Sequence, residues 1–392
     1  MNKIKLGDVL EVKRGMSLPG EYYATEGDYI RLTLGNFNYP SCGWKKNVLK
    51  DNLFFTGNVR DEYILKKGDI ITPLTEQVRG LLGNTATIPE DALYIQSGDI
   101  GLIIPDETKL DKRFSYYLVS SSVVKKQLDA RSQQTKIRHT SPEAIKDCVA
   151  FIPIIKEQKK ISYVLDCINK KIENNNAIND NLATQALTLF SDFVSHRSKK
   201  LEQRKLGDVI ASANTGGDAI QKVPIVDYDT GIKCARVGDI TNAREYASWA
   251  FCNASKSVYD NYKLQAGDIL VTRTATLGIT QYIAKDISAV YNNGLIRLKV
   301  DDTNALSLYI YWAMKTSDFL NYINQMNSAT SVRPNMKIDY LLNYQLSIPS
   351  IEEQTQFTNA VEPLMKAISL NNDEILKLSE FQAIILTTLS SR

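Results

Sequence analysis

The chain has 392 residues, enough for two or three domains of ordinary size, and its 43% hydrophobic and 23% charged residues are typical of a globular protein. The formal net charge of +3 argues against indiscriminate electrostatic binding of nucleic acid, without excluding specific binding. No apolar run approaches the roughly 18 residues of a membrane span, and the amino terminus lacks the apolar core of a signal peptide, so we expect a cytoplasmic protein without membrane contact.

The five cysteines, at positions 42, 148, 167, 234 and 252, are odd in number and form no CxxC pair. The chain has two histidines, His139 and His196. This set does not favour a zinc site, and we expect reduced structural thiols and no metal or cofactor.

Residues 1–152 are predicted to form a β-rich domain, because short apolar runs such as DIITPL and LYIQSGDIGLIIP alternate with turn signals. The Gly68-Asp69 pair is typical of a tight turn at the entry to a strand. The acidic run PDETK at 105–109 raises the question of a metal-dependent nuclease. Five contiguous residues cannot converge on one metal ion, so we predict a polar turn there.

Residues 153–197 are predicted to form a long helix with a coiled-coil seam. The seam advances in alternating steps of four and three residues, which is the spacing of a heptad repeat. Its positions are Ile161, Leu165, Ile168, Ile172, Asn175, Asn179, Leu182, Ala186, Leu189 and Phe193.

Residues 198–349 repeat the first domain, and residues 350–392 repeat its helix. DEYILKKGDI at 61–70 returns as DNYKLQAGDI at 260–269, and IPIIKEQ at 152–158 returns as IPSIEEQ at 348–354. Matches in the same order, about 200 residues apart, indicate duplication of a domain with its helix. Ser350 and Glu353 form a capping box at the start of the second helix, and Pro363 lies on its outward face, where we expect a kink. The second seam is offset by 196 at every position: Phe357, Val361, Leu364, Ile368, Asn371, Ile375, Leu378, Gln382, Ile385 and Leu389.

The two helices are predicted to pair as a coiled coil. In a centred antiparallel pair Asn179 faces Asn371, and the two buried amides satisfy each other. A parallel pair would place Asn175 opposite Asn371, so the asparagines alone leave the direction open. A duplicated chain with a pseudo-twofold axis across the helices favours the antiparallel arrangement.

Sequence motifs for catalysis are absent. The chain contains no GxxxxGK[ST] phosphate loop, no GxGxxG turn after a strand, no NPP[YF] tetrapeptide of the amino-methyltransferase type and no GxSxG nucleophile elbow. A chain of this size without such a motif is more consistent with a recognition protein than with an enzyme.

The chain resembles the specificity subunit of a type I restriction–modification system. The motifs that carry the resemblance are KLGDV at 5–9 and 205–209, the helix starts IPIIKEQKKI and IPSIEEQTQF, GDILVTRTATLG at 267–278 and SATSVRPNM at 328–336. Each is weak alone, but in this order and repeated they cover essentially the whole chain.

The resemblance implies an α+β fold with two similar target-recognition domains, 1–152 and 198–349, each reading one half of a bipartite double-stranded DNA target. It implies that the helices 153–197 and 350–392 pair as an antiparallel coiled coil and dock two methylation subunits, with restriction subunits able to join. It also implies a subunit without catalytic residues. The segment GDIITPLTEQVRGLLG at 68–83 lacks the Arg-Thr pattern of the second copy, so Thr72-Pro73 is not safely equated with Thr272-Arg273.

DNA-reading residues are expected on exposed loops, because base and phosphate contacts use Arg, Lys, Asn, Gln, Ser and Thr. In the first domain we predict Thr75, Gln77, Arg79, Gln133, Gln134, Lys136 and Arg138. In the second domain we predict Arg273, Thr274, Thr276, Asn292, Asn293, Arg333 and Asn335.

Other interpretations stay open. The chain could be the specificity subunit of a related two-subunit restriction–methylation system, which the sequence does not separate from a type I system. It could be a coiled-coil adaptor whose β-rich domains bind protein and not DNA. An enzyme with an unfamiliar site is a third class.

Overall fold

A computed structural model of the chain describes residues 2–39, 42–47, 50–76, 80–131, 138–196, 202–216, 225–244, 246–327 and 335–390. Two compact units divide the chain: Met1–Ile172 with Lys377–Arg392, called unit 1, and Glu173–Leu376, called unit 2. Each unit contains one β-rich domain and part of each of two long helices. Within the described ranges, no helix combines the length and the apolar character needed to cross a membrane.

Unit 1 contains the first β-rich domain. Its strands are β1 (Asn2–Lys5), β2 (Leu10–Arg14), β3 (Tyr23–Ala24), β4 (Tyr29–Arg31), β5 (Phe54–Phe55), β6 (Ile70–Pro73), β7 (Thr75–Glu76), β8 (Ala86–Thr87), β9 (Tyr94–Ile95), β10 (Ile100–Pro105), β11 (Arg138–His139) and β12 (Val149–Ile152). Its short helices are α1 (Lys112–Val119), α2 (Ser122–Arg131) and α3 (Pro142–Lys146). Two four-stranded sheets have the orders β2-β10-β6-β8 and β3-β5-β4-β9, and β1-β12 and β7-β11 form pairs.

Unit 2 contains the second β-rich domain. After the long helix α4 (Ile155–Ser195), its strands are β13 (Glu202–Lys205), β14 (Ile210–Thr215), β15 (Ile225–Val226), β16 (Lys233–Ala235), β17 (Ala250–Cys252), β18 (Ile269–Thr272), β19 (Thr280–Tyr282), β20 (Ala289–Tyr291), β21 (Leu295–Val300) and β22 (Gln345–Ile348). Its helices are α5 (Val237–Thr241), α6 (Lys256–Tyr262), α7 (Ser307–Ala313), α8 (Ser317–Asn327) and α9 (Ile338–Leu342), followed by the second long helix α10 (Ile351–Ser390). The sheets have the orders β14-β21-β18-β19 and β15-β17-β16-β20, with β13-β22 as a pair.

Equivalent strands of the two domains pair in the same way. The central strands β6 and β18 are buried along their whole length, which agrees with their mostly apolar residues. Gly68 and Gly267 precede them with φ of +85° and +86°, the left-handed region that glycine adopts without strain. The strand-entry turn predicted at Gly68-Asp69 is thus present, and the second domain has the same turn at Gly267.

The repeated KLGDV pentapeptide joins the start of each domain to the end of the same domain. The backbone N–H of Leu6 donates to the carbonyl of Cys148 at 2.8 Å, and that of Leu206 donates to the carbonyl of Tyr344 at 2.8 Å. Both leucines are fully buried. The repeat that is most visible in the sequence therefore has a structural role.

The glutamine of the IPIIKEQ motif joins the first domain to helix α4. Gln158 is fully buried, and its Oε1 accepts the backbone N–H of Asp111 at 2.7 Å. Its Nε2 donates to the carbonyls of Lys109 at 3.0 Å and Pro153 at 2.9 Å. One side chain thus satisfies three backbone groups at a helix start.

Gln354, from the motif IPSIEEQ, makes the same junction in the second domain. It is fully buried, accepts the N–H of Leu306 at 2.7 Å and donates to the carbonyl of Pro349 at 2.9 Å. The predicted capping box is present one turn earlier, where Ser350 N–H donates to Glu353 at 3.1 Å and Glu353 N–H donates to Ser350 Oγ at 3.3 Å.

The long helices pair antiparallel, as the duplicated sequence favoured. In unit 2 Asn371 Nδ2 donates to Asn179 Oδ1 at 2.9 Å, and Asn175 donates to Glu374 at 2.7 Å. The residue numbers of the partners therefore increase along one helix as they decrease along the other, which defines an antiparallel pair. In unit 1, Gln382 Nε2 donates to Asn169 Oδ1 at 3.0 Å.

The predicted seam is wrong at one place in unit 2. Leu189 is 41% exposed, whereas the next residue, Phe190, is buried against Tyr309 and Phe357 with ring centroids 5.2 Å and 5.3 Å away. An α-helix has 3.6 residues per turn, so a strict heptad drifts around its surface, and here the helix packs against its domain as well as its partner helix.

Candidate nucleic-acid interface

Three separate segments of the second domain meet at the end of strand β18. The N–H of Arg273 donates to the carbonyl of Gly294 at 2.9 Å, and its Nη1 donates to the carbonyl of Asn293 at 3.2 Å. Its Nε donates to the carbonyl of Met336 at 3.1 Å. A single β-bridge joins Thr274 to the third segment. Arg273 is therefore the side chain that holds the three segments together.

Six of the seven residues predicted for this domain belong to these segments. They are Arg273, Thr274, Thr276, Asn292, Asn293 and Asn335. The bridge from Thr274 is made to Asn335. Thr276, Asn293 and Asn335 are exposed, so their hydroxyl and amide groups face solvent. The seventh residue, Arg333, lies outside the described residues.

The loop after β18 is short and closed. Its ends are joined by Thr272, whose N–H donates to the carbonyl of Ile279 at 2.9 Å and whose carbonyl accepts from Gly278 at 2.9 Å. At the tip, Ala275 has a φ of +62°, a conformation that non-glycine residues rarely adopt. Strained backbone concentrates at functional sites, where the surrounding structure holds it in place. Thr276 is presented by this tip.

Gly294 stands at a crowded point of the surface. A Cβ atom there would lie 2.5 Å from Val237 Cγ2 and 2.8 Å from Thr274 Oγ1. Only glycine permits this approach, so helix α5 is brought against the turn that carries Asn292 and Asn293. Below the turn, burial raises the pKa of Tyr291 to about 12, and its hydroxyl donates to Asn214 Oδ1 at 2.9 Å.

The first domain repeats this bridge with different side chains. Strand β7 pairs with β11, so that Thr75 lies opposite His139 as Thr274 lies opposite Asn335. Thr75 is only 5% exposed, so the expectation that it stands on an exposed loop is wrong. It lies in a strand beneath the surface, because the first domain has a two-residue ladder where the second has one bridge.

Arg138 is held by acidic side chains of its own domain. Its Nη1 lies 3.0 Å from Glu76 and 2.6 Å from Asp129, and Nη2 donates to the carbonyl of Asp129 at 2.8 Å. Its side chain is 16% exposed. The sequence suggested a solvent-facing reader, but the guanidinium serves mainly to join β11 to helix α2.

Glu76 binds the backbone of residues 80–82. This carboxylate is 2% exposed and accepts three backbone N–H groups, from Gly80 at 2.9 Å, Leu81 at 2.8 Å and Leu82 at 3.0 Å. Charge-assisted bonds of this kind are the strong ones. The other residues predicted for this domain lie outside the described residues: Gln77, Arg79, Gln133, Gln134 and Lys136.

The strand register settles how the two copies correspond. Ile70 lies opposite Ile103, and Ile269 lies opposite Leu298, so β6 and β18 align with an offset of 199. Arg273 therefore corresponds to Leu74, not to Pro73. The apparent match of Thr72-Pro73 with Thr272-Arg273 is displaced by one residue.

Among the described residues, no group of three or more His, Cys, Asp or Glu side chains is placed to hold a metal ion. The acidic run at 105–109 forms the predicted polar turn, in which Asp106 accepts from the N–H of Thr108 at 3.1 Å and its hydroxyl at 2.6 Å.

Comparison with known proteins matches the chain to the family described as "Type I restriction modification DNA specificity domain", at residues 1–184 and again at 198–380. The Type I restriction enzyme EcoBI specificity subunit of Escherichia coli is 23% identical over 351 residues, which cover 81% of this chain and 72% of that protein. The MjaVIII specificity subunit of Methanocaldococcus jannaschii is 25% identical over 174 residues, or 43% of this chain and 40% of that protein. The crystal structure of a type I S subunit from M. genitalium has a TM-score of 0.53 at 16% identity, covering 100% of this chain and 96% of that one.

Proposed function

Because the chain belongs to the family of type I restriction modification DNA specificity domains, we propose that it is the DNA sequence-specificity subunit of such a system. Each β-rich domain reads one half of a bipartite double-stranded target. The observation that carries the proposal is the bridge at the end of the central strands, Thr75 with His139 and Thr274 with Asn335, a framework that the two domains share and surround with different side chains.

The second domain has the chemistry that base reading requires. Amide and hydroxyl groups donate and accept hydrogen bonds at base edges in the major groove, and the same groups contact phosphates. Thr276, Asn293 and Asn335 supply such groups on one exposed surface, and Arg273 stabilises it from behind. A closed loop and a crowded glycine keep the surface preorganised, which lowers the entropy cost of binding.

The long helices dock the methylation subunits in this proposal, and restriction subunits join the assembly. The supporting observation is the number of large apolar side chains that the helices leave in solvent. Tyr163 of α4 is 71% exposed, and Leu370 and Ile384 of α10 are each 61% exposed. Large apolar side chains left in solvent along the two long helices are consistent with surfaces that bind another protein.

The subunit itself does not catalyse methylation or cleavage in this proposal. The purified chain with S-adenosylmethionine should leave DNA unmethylated, and methylated adenine in that reaction would contradict the proposal. In cells, deletion of the gene should abolish one bipartite methylation motif from the methylome. An unchanged methylome would favour the alternative of a coiled-coil adaptor.

Exchange of the second domain tests whether the two domains read independently. Residues 201–347 are replaced by the matching segment of a relative, and residues 2–152 are exchanged in a control variant. Each exchange should change one half of the methylated motif and leave the other half intact. A change in both halves after either exchange would show that the domains do not read independently.

A further inference from the structure

Arg236, at the start of helix α5, lies beside the DNA-reading surface of the second domain. The carbonyl of its neighbour Ala235 accepts the N–H of Asn292 at 3.0 Å. Its other neighbour, Val237, is the residue that a Cβ atom on Gly294 would approach to 2.5 Å. Arg236 is thus flanked on both sides by contacts to the turn at residues 292–294.

A buried carboxylate fixes the orientation of this arginine. The side chain of Asp239 is 1% exposed, and its Oδ2 accepts the backbone N–H of Arg236 at 3.0 Å and the Nε at 3.1 Å. Its Oδ1 accepts Nη1 of Arg244 at 3.2 Å. Burial of a carboxylate is costly unless cations and N–H groups compensate its charge. Asp239 has both, since it accepts from two guanidinium groups and from one backbone N–H.

The far end of the Arg236 guanidinium faces solvent. Its side chain is 39% exposed, and among the described residues neither Nη atom has a hydrogen-bond partner. A Cβ atom on Gly238, two residues later, would meet nothing within 4 Å, so the surface beside it is open. Because a buried carboxylate holds the Nε of this arginine, the remaining N–H donors of the guanidinium point to solvent as a preorganised fork.

The first domain has the same turn without the cation. Thr33 stands where Arg236 stands, and its N–H donates to Asn36 Oδ1 at 2.9 Å, as that of Arg236 donates to Asp239. The backbone geometry therefore does not need an arginine or a carboxylate. The second domain carries an ion pair at a place where an amide is sufficient for folding.

We propose that Arg236 is a DNA-contacting residue of the second domain and that Asp239 is its positioning residue. The two Nη groups fit a pair of acceptors on the DNA, either the O6 and N7 atoms of a guanine or two phosphate oxygens. The proposal rests on the proposed function, in which this domain reads one half of the target.

The test uses the full chain with its methylation subunits, and a DNA duplex that carries the methylated motif found for the wild-type protein. Arg236→Gln should weaken binding about 10- to 100-fold. The matched control is Arg244→Gln, which removes the other cation from the same carboxylate but leaves Arg236 in place. It should bind within about threefold of the wild type, and thermal unfolding of both variants shows whether the fold is retained.

Arg236→Lys separates the two acceptors. Contact with phosphate predicts that lysine retains most of the affinity and that Arg236→Gln lowers the salt slope of binding by about one. Contact with guanine predicts that lysine is nearly as weak as glutamine and that one position of the second half-site becomes degenerate in the methylome. Either result supports the proposal.

The proposal is overturned if Arg236→Gln binds and methylates as the wild type does. It is also overturned if Arg244→Gln loses as much binding as Arg236→Gln, since the effect would then be a general loss of local structure. Failure of the proposed function looks different, because the wild-type complex itself would then show no bipartite motif.

Discussion

Replacement of Gln158 by methionine tests whether the motif glutamines join the domains to the helices. Methionine has a similar length but no amide, so it leaves the N–H of Asp111 and the carbonyls of Lys109 and Pro153 without their partner. At about 0.5–1.5 kcal/mol for each hydrogen bond, the loss of three should cost roughly 1.5–4.5 kcal/mol. Gln354→Met removes two such bonds and should cost roughly 1–3 kcal/mol.

Hydrogen exchange of the full chain, resolved by peptide, measures the two junctions separately. Gln158→Met should speed exchange at residues 109–119 and 153–162 and leave residues 302–313 and 349–358 unchanged, and Gln354→Met should do the reverse. Lys159→Met, on the exposed face of the same helical turn, is the matched control. If Gln158→Met exchanges and unfolds in urea like Lys159→Met, the glutamine does not hold the junction and the reasoning is wrong.

Three further predictions follow from particular contacts. Asn179→Leu should cost roughly 1–3 kcal/mol, because the half-buried amides of Asn371 and Asn372 both lose their partner. Adding Asn371→Leu removes one of these two unpaired groups and should recover part of the loss in a urea double-mutant cycle, whereas additive losses would refute the pairing. Gly294→Ala should greatly reduce methylation of the bipartite motif, because the new Cβ would displace Val237, and an unchanged methylome would contradict this. Burial lowers the pKa of Lys315 to about 8, so between pH 8 and 10 the unfolded chain binds more protons than the folded one. Lys315 should therefore add roughly 2 kcal/mol to the free energy of unfolding across this window, while the raised pKa values of the buried thiols Cys148 and Cys234 act in the opposite direction. The free energy of unfolding of the wild type, minus that of Lys315→Met, should accordingly rise by this amount between pH 8 and 10 in urea titrations. A difference that stays constant with pH would show that Lys315 is not responsible.

Most of the architecture could be predicted from the sequence. The offset of 196 between the helix starts already implied two copies of one domain and its helix, and the heptad spacing with Asn179 and Asn371 implied that the helices pair. These features are local or periodic, so each can be recognised from residues that are close together in the sequence. The predicted seam was wrong at Leu189, which is exposed. There the helix packs against its domain as well as against the other helix, so the heptad spacing does not identify the buried residue.

The functional surface depended on tertiary structure. Arg138 and Arg273 look equivalent in the sequence, as arginines beside turn residues, yet Arg138 is neutralised by Glu76 and Asp129. Arg273 instead contacts the carbonyl of Met336, which is 63 positions away along the chain. No spacing rule relates such distant positions.

The role proposed for Arg236 could not be predicted from the sequence either. Its sequence context, CARVGDI, contains no signal for DNA binding by itself, although its likeness to the Thr33 turn marks a repeated structure. Composition and periodicity determine which segments form strands and helices, because those preferences depend on near neighbours. The partner of a polar side chain depends on which distant segments pack beside it, and that decides whether it holds the fold together or faces solvent, where it is available to a ligand.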